Sequence, residues 1–144
     1  MIRELVDRAA IADVAIAYAT ALDTRDWEEL ASLFTSDACW EYSGSGEQVY
    51  GRDAVVARIS ASVQRLDATQ HLNGNHVAVV RGDEAEHTCY YLAQHVRVGL
   101  PDGDRFLAGG RYEDLLRRTP DGWRFTHRRI IGVWSEGNPA VLTL

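Results

Sequence analysis

A chain of 144 residues with a formal net charge of −6, from 21 acidic and 15 basic residues, is long enough to bury one core and short for two domains. Its acidic balance argues against nucleic acid or an anionic membrane as the main partner, because both reward clustered positive charge. Cys39 and Cys89 are too few for a disulfide framework and lack C-x-x-C spacing, so two free thiols in a reducing compartment are expected.

The opening MIRELVDRAA interleaves charge with apolar residues, unlike a signal peptide. No stretch reaches the roughly 18 apolar residues of a membrane span, and a cytoplasmic protein is the expectation. Leu5, Ile11, Val14, Ala15, Tyr18 and Leu22 recur at three-and-four spacing, which predicts an amphipathic helix from Ile2 to Leu22. Asp26 and Glu29 then form the start signal of a short second helix, Asp26 capping and Glu29 reaching back, with Leu30, Leu33 and Phe34 on its apolar side. Ala38 to Tyr42 reads as a strand, turning at Ser43-Gly44-Ser45-Gly46 into a short return through Val49 and Tyr50. Gly51-Arg52-Asp53 opens a third helix that buries Val55, Val56, Ile59, Val63 and Leu66.

Beyond Asp67 the pattern turns to β. Thr69 to Val80, Glu84 to Val98, Phe106 to Arg118 and Trp123 to Trp134 are separated by turn sequences at Arg81-Gly82-Asp83, Pro101-Asp102-Gly103-Asp104 and Pro120-Asp121-Gly122, the layout of an antiparallel meander. Strands this long imply a twisted, bent sheet, with Gly74, Gly109 and Gly110 as bends or bulges. Helices followed by a long curved sheet predict one α+β domain over residues 1–144, cone-shaped, with a ligand-sized pocket at the mouth.

Asp23 falls in the last turn of the first helix, where the helix dipole disfavours an anion by about 0.3 to 1 kcal/mol. A solvated residue or an ion pair with Arg25 would explain it, and so would a functional role. His71 shares a strand face with Asn73 and Asn75 in the absence of a bulge, and His95 shares one with Cys89, Tyr91 and Ala93. Those two histidines could face a cavity, whereas His76, His87 and His127 read as surface or structural. No H-x-H, H-E-x-x-H or paired-cysteine spacing marks a metal site, and no phosphate loop or nucleophile elbow is present.

The segments Arg8-Ala9-Ala10-Ile11, Leu22-Asp23-Thr24-Arg25-Asp26-Trp27, Leu33-Phe34-Thr35-Ser36-Asp37-Ala38, Thr69-Gln70-His71 with Asn75, Gly110-Arg111-Tyr112 and Gly122-Trp123-Arg124-Phe125 together resemble the SnoaL-like branch of the nuclear-transport-factor-2-like (NTF2-like) superfamily. The pattern is most similar to scytalone dehydratase, bile acid 7α-dehydratase and lindane dehydrochlorinase. That resemblance implies a curved antiparallel or mixed sheet closed by three helices from the N-terminal half, and a dyad of Asp23 and His71 in which the carboxylate orients an imidazole base. It further implies that Tyr18 and His95 assist catalysis and that Tyr42 and Arg128 line the substrate pocket, for which Trp40, Tyr50, Tyr91, Phe106 and Trp134 offer further aromatic surface. The dehydrochlorinase carries a lysine in place of Tyr18, which argues against dehalogenation. The implied activity is a cofactor-free, metal-free lyase, or an isomerase or cyclase, acting on a hydrophobic cyclic or polyketide-like molecule. Its implied state is a homo-oligomer, a trimer ahead of a dimer. A non-catalytic subunit or a small-molecule binder of the same fold is the alternative.

Overall fold

The computed structural model describes residues 1–143. Helix α1 spans Ile2–Thr24 and ends where Arg25 turns left-handed, at φ 55°. It buries Ile11, Val14, Ala15, Tyr18 and Leu22, as the spacing predicts, but Leu5 is exposed and the buried stripe begins instead at Asp7. Helix α2, Trp27–Ser32, is capped by the Asp26 carboxylate, which accepts from the Glu29 amide at 3.1 Å. Phe34 is not helical: it begins strand β1, Phe34–Tyr42, because the short α2 finishes one turn after its cap. Strand β2, Glu47–Tyr50, and helix α3, Arg52–Val63, follow. The meander is β3 (Ala68–Arg81), β4 (Glu84–Val96), β5 (Arg105–Thr119) and β6 (Gly122–Gly137). A 3-10 turn, Pro139–Leu142, tucks Val141 into the core.

All six strands form one mixed sheet in the order β2-β1-β6-β5-β4-β3. Every pairing is antiparallel except that of β1 with β6. The sheet is not closed, for β2 and β3 are free edges. Helix α1 packs mainly on β3 and α3 on β1 and β2, so the helices bridge the two ends of one face and leave a hollow between them.

Bulges decide which side chains enter that hollow. Between Gly109 and Gly110 the register of β5 on β6 shifts. A Cβ at Gly109 would strike the Trp134 ring, and one at Gly110 the Ile131 carbonyl, so both glycines are required by close approach. In β3 the register slips between Gly74 and Val77, with Asn75 at φ 53°. One extra residue reverses the strand's alternation. His71 and Asn73 face inward, Asn75 is turned out to solvent, and His76 faces inward in its place. Asn75 would share the face of His71 only in an unbulged strand, and the bulge falls at Gly74, where the glycine marked one.

One end of the fold is fastened by a buried acid. Asp7 receives two bonds from Arg118, at 2.7 and 2.8 Å, and one from the Trp123 indole at 3.2 Å. The bonds from Arg118 hold its carboxyl down at about 2, below its ordinary 3.8. Since the folded value lies below the unfolded one, the contribution is present above about pH 4 and lost as pH falls toward 2. Asp7→Asn is expected to cost about 2 kcal/mol at neutral pH, less than a fully buried pair because Arg118 keeps Asp83. Urea melts at pH 7 and pH 3 check both points: the gap between wild type and variant should narrow in acid.

Among the described residues no helix is long and apolar enough to cross a membrane.

Candidate active site

A cavity of about 370 Å³ lies between the helices and the inner face of the sheet. Its walls are mainly apolar and aromatic, with Tyr18 and Leu22 from α1, Trp40 and Tyr42 from β1, Ile59 and Val63 from α3, and Tyr91 and Tyr112 from the sheet. Its polar lining includes His71 and His95. A larger groove of about 820 Å³ on the outer face, between Leu72, Tyr90 and Trp134, has only Arg111 as a charged lining residue. The titratable chemistry is concentrated in the inner cavity.

Asp23 reaches from the last turn of α1 to the start of β3. Its Oδ1 accepts from Thr69 Oγ1 at 2.9 Å and from His71 Nδ1 at 2.7 Å, and its Oδ2 accepts from the His71 amide at 2.8 Å. Burial pushes this carboxyl up, but the side-chain and backbone bonds from His71 and the bond from Thr69 outweigh it and hold the group below the ordinary carboxylate range. The three donors explain why an acid is tolerated at the negative end of a helix. An ionised Asp23 has no proton to give, so Nδ1 of His71 carries the hydrogen. Nε2, the other ring nitrogen, is left with its lone pair for the cavity.

His95 is fixed by different means. Its Nδ1 donates to the Phe106 carbonyl at 3.0 Å, an acceptor that can never donate, so in the neutral ring it is Nε2 of His95 that is unprotonated. Burial holds its pKa below the ordinary imidazole value, opposed in part by that carbonyl. The register places Ala93 opposite His71 and Thr69 opposite His95. The two rings meet edge to face with centroids 6.0 Å apart. The pocket thus presents two imidazoles, each with a bare nitrogen and only one backed by a carboxylate.

Other residues divide clearly. Trp40, Tyr42 and Tyr91 line the cavity, as does Tyr18, and the Trp40 indole N–H is buried without a partner among the described residues. Burial raises Tyr18 above its ordinary value, with the neighbouring Arg128 pulling the other way. Arg128 itself is not a lining residue. It is fully buried beneath the floor, pairs with Asp114 at 3.0 Å, and has its guanidinium 3.6 Å from the Tyr112 ring centroid and 4.2 Å from that of Tyr18. Its place on β6 gives the right face, but the two tyrosines intervene. His87, read from sequence as a surface or structural group, is also buried, with its Nδ1 2.8 Å from Asp114 Oδ2. The alternation that places Cys89, Tyr91 and His95 inward extends back to His87 and would have located it. Thr69, Tyr112 and Asp114 carried no such mark, being defined by partners distant in sequence.

The fold is thus an α+β one, with helices over one face of an open sheet and an aromatic cavity holding two imidazoles between them. The SnoaL-like domain model matches residues 3–129, and the chain belongs to that family. Rv2910c of Mycobacterium tuberculosis and Mb2934c of Mycobacterium bovis, both uncharacterised, are each 31% identical over 129 residues, covering 88% of this chain and 86% of theirs. Among solved structures, Kfla4162 of Kribbella flavida superimposes with a TM-score of 0.87 at 25% identity, over 98% of this chain and 99% of that one. A provisionally assigned scytalone dehydratase of Novosphingobium aromaticivorans gives 0.85 at 26% identity, over 94% and 89%. A hexachlorocyclohexane dehydrochlorinase, LinA type 2, gives 0.83 at 21%, over 95% and 92%, a likeness of fold alone.

The two histidines differ in a way that can be measured. In a ¹⁵N-labelled sample His95 is expected to stay neutral, with Nδ1 protonated, down to a lower pH than a free imidazole. A neutral His95 with its proton on Nε2 would contradict the tautomer assigned by its bond to Phe106, and a ring cationic at pH 7 would contradict the effect of burial.

Proposed function

We propose that the protein is a cofactor-independent lyase of the dehydratase type, or an isomerase or cyclase, acting on a hydrophobic cyclic molecule that carries an oxygen next to an acidic C–H. The observation that carries this reading is the 2.7 Å contact between Asp23 and His71 at the wall of an aromatic cavity. The dehydratase-type neighbours support the same class of chemistry.

His71 Nε2 takes a proton from substrate carbon, and ionised Asp23 stabilises the imidazolium that forms. The electron pair left on carbon is delocalised onto the neighbouring oxygen, where Tyr18 and the unpartnered Trp40 N–H are the donors at hand. In an elimination the C–O bond then breaks, the double bond forms, and the proton on His71 goes to the departing hydroxyl as water. In an isomerisation the same proton returns to a different carbon. His95, neutral and with a bare Nε2, accepts a hydrogen bond from a substrate hydroxyl and orients it. Tyr42 and Tyr91 supply wall, and Arg128 acts from below through Tyr18 and Tyr112.

His71→Ala and Asp23→Asn are each expected to lower kcat by about 10² to 10⁴, the usual worth of a positioned general base, with folding intact by circular dichroism. Because the pair acts as a unit, the double variant should be little worse than either single one. Full turnover by His71→Ala on a substrate accepted by the wild type would overturn the mechanism.

We propose further that copies of the chain cover the outer face of the sheet. Leu72, Val77, Tyr90, Leu92, Val133 and Trp134 are all exposed there, a larger apolar patch than single chains usually leave in water. Light scattering at micromolar concentration is expected to exceed the 16.1 kDa of one chain, and Trp134→Glu with Tyr90→Glu to shift it toward that value. A monomeric wild type would refute the assembly.

A further inference from the structure

A second cluster of nucleophilic side chains lies outside the inner cavity. His87 and Cys89 stand two residues apart on the inner face of β4, and the β3 bulge turns His76 onto the same face. One donor atom from each of the three lies within 4.8 Å of the others. His76 Nδ1 and His87 Nε2 are 3.0 Å apart, and their rings stack with an interplanar angle of 27°.

Proton bookkeeping fixes what these atoms offer. The Asp114 carboxylate also faces Arg128, so the proton of the His87–Asp114 bond belongs to His87 Nδ1. With both rings neutral, Nε2 of His87 carries the lone pair and His76 Nδ1 donates to it. An imidazole whose far N–H is held by a carboxylate, with its other nitrogen bare and buried, is the arrangement that metal-binding histidines adopt, because the outer carboxylate sets the tautomer and strengthens the donor.

We propose that His76 Nδ1, His87 Nε2 and Cys89 Sγ form a binding site for a borderline-soft divalent cation of the zinc class, with Asp114 as the outer carboxylate. Two imidazoles and a thiolate suit zinc or cobalt and exclude magnesium or calcium, which require oxygen ligands. Zinc bonds of about 2.0 to 2.3 Å place neighbouring donors about 3.3 to 3.7 Å apart, so the 3.0 Å His76–His87 pair has to open by a few tenths of an ångström, and any donor pair as far apart as 4.8 Å has to close by about 1 to 1.5 Å. Binding releases one proton, that of the Cys89 thiol, to solvent. His76 meanwhile moves its ring proton from Nδ1 to Nε2. Burial pushes the Cys89 thiol up to about 11, opposed only in part by Arg128, which stands 3.9 Å from Sγ and is itself paired with Asp114, so it is the arriving cation that displaces the thiol proton. The fourth coordination position is left to water or another small ligand. The cluster is absent from the lining of the inner cavity, so the ion has no part in proton abstraction by His71. The bulge between Gly74 and Val77 is what aims His76 at His87.

The test is a cobalt titration of chelator-stripped protein followed by absorbance. One equivalent is expected to produce the thiolate-to-cobalt charge-transfer band with the visible bands of a four-coordinate site, and zinc should abolish both by competition. Cys89→Ser should lose the charge-transfer band. His76→Ala, at the half-buried rim, tests the site even if the Cys89 variant does not fold, and should weaken binding by about a hundredfold or more, since losing even an outer partner costs 10- to 100-fold. His71→Ala should leave the spectrum unchanged. No spectrum in the wild type, a spectrum indifferent to His76→Ala, or one lost only in His71→Ala would each overturn the assignment, the last by placing the ion in the inner cavity.

Discussion

The grip of Asp23 on the start of β3 is the constraint on which the rest of the site depends. A carboxylate at the negative end of α1 would be expelled toward water if nothing answered it. Thr69 and the backbone and side chain of His71 answer it with three donors. These bonds tie the end of the long helix to the first strand of the meander, and α1 packs on β3 along much of its length. The contact that fixes the helix on the sheet is the same one that sets the tautomer of His71. Structure and chemistry are therefore coupled at this point: an amide at residue 23 would remove the charge that stabilises an imidazolium, even if the helix stayed where it is.

Beneath the cavity a second layer of polar groups is buried among aromatic rings. Arg128 is packed between Tyr18, Tyr112 and Phe125 and shares Asp114 with His87. Burying such a chain is expensive, and charged pairs of this kind are often no better for stability than apolar packing. What it provides is a positive charge directly under the two tyrosines of the floor. A phenol lying over a guanidinium is a stronger donor than one over a leucine, which gives the floor an electrostatic bias toward ligands carrying an electron-rich oxygen. The same bias suits a reaction in which an enolate or phenolate oxygen gains charge.

The sheet carries two surfaces with opposite characters. Inward positions of β4 hold Ala85, His87, Cys89, Tyr91 and Ala93, while Tyr90 and Leu92 between them face out. With period-two alternation, one strand thereby supplies a wall of the pocket, an arm of the His–Cys cluster and part of the outer apolar patch. Small residues mark where space is needed: Ala93 opposite His71 leaves the imidazole room, and Gly110 admits the Tyr91 ring.

Much of this was legible in the sequence. The helix periods, the Asp26 cap, the three tight turns and the inward set Cys89, Tyr91, Ala93 and His95 all follow from local spacing, because backbone geometry fixes which neighbours along a chain share a face. Asp23 stood out for a local reason as well, its conflict with the helix dipole. The position of Arg128 under the floor, the burial of His87 against Asp114, and the parallel pairing of β1 with β6 were not legible, since each depends on partners far away in the chain. The bulge at Gly74 and Asn75 marks the boundary most sharply. Gly74 signalled a bend or bulge, but only the pairing with β4 defines the one-residue slip that reverses every side chain after it, turning Asn75 to solvent and His76 to His87. The sequence by itself determined the elements and the residue types available for chemistry; the tertiary structure decided which of them meet, because side-chain direction in a sheet is set by register, and register is a property of two strands.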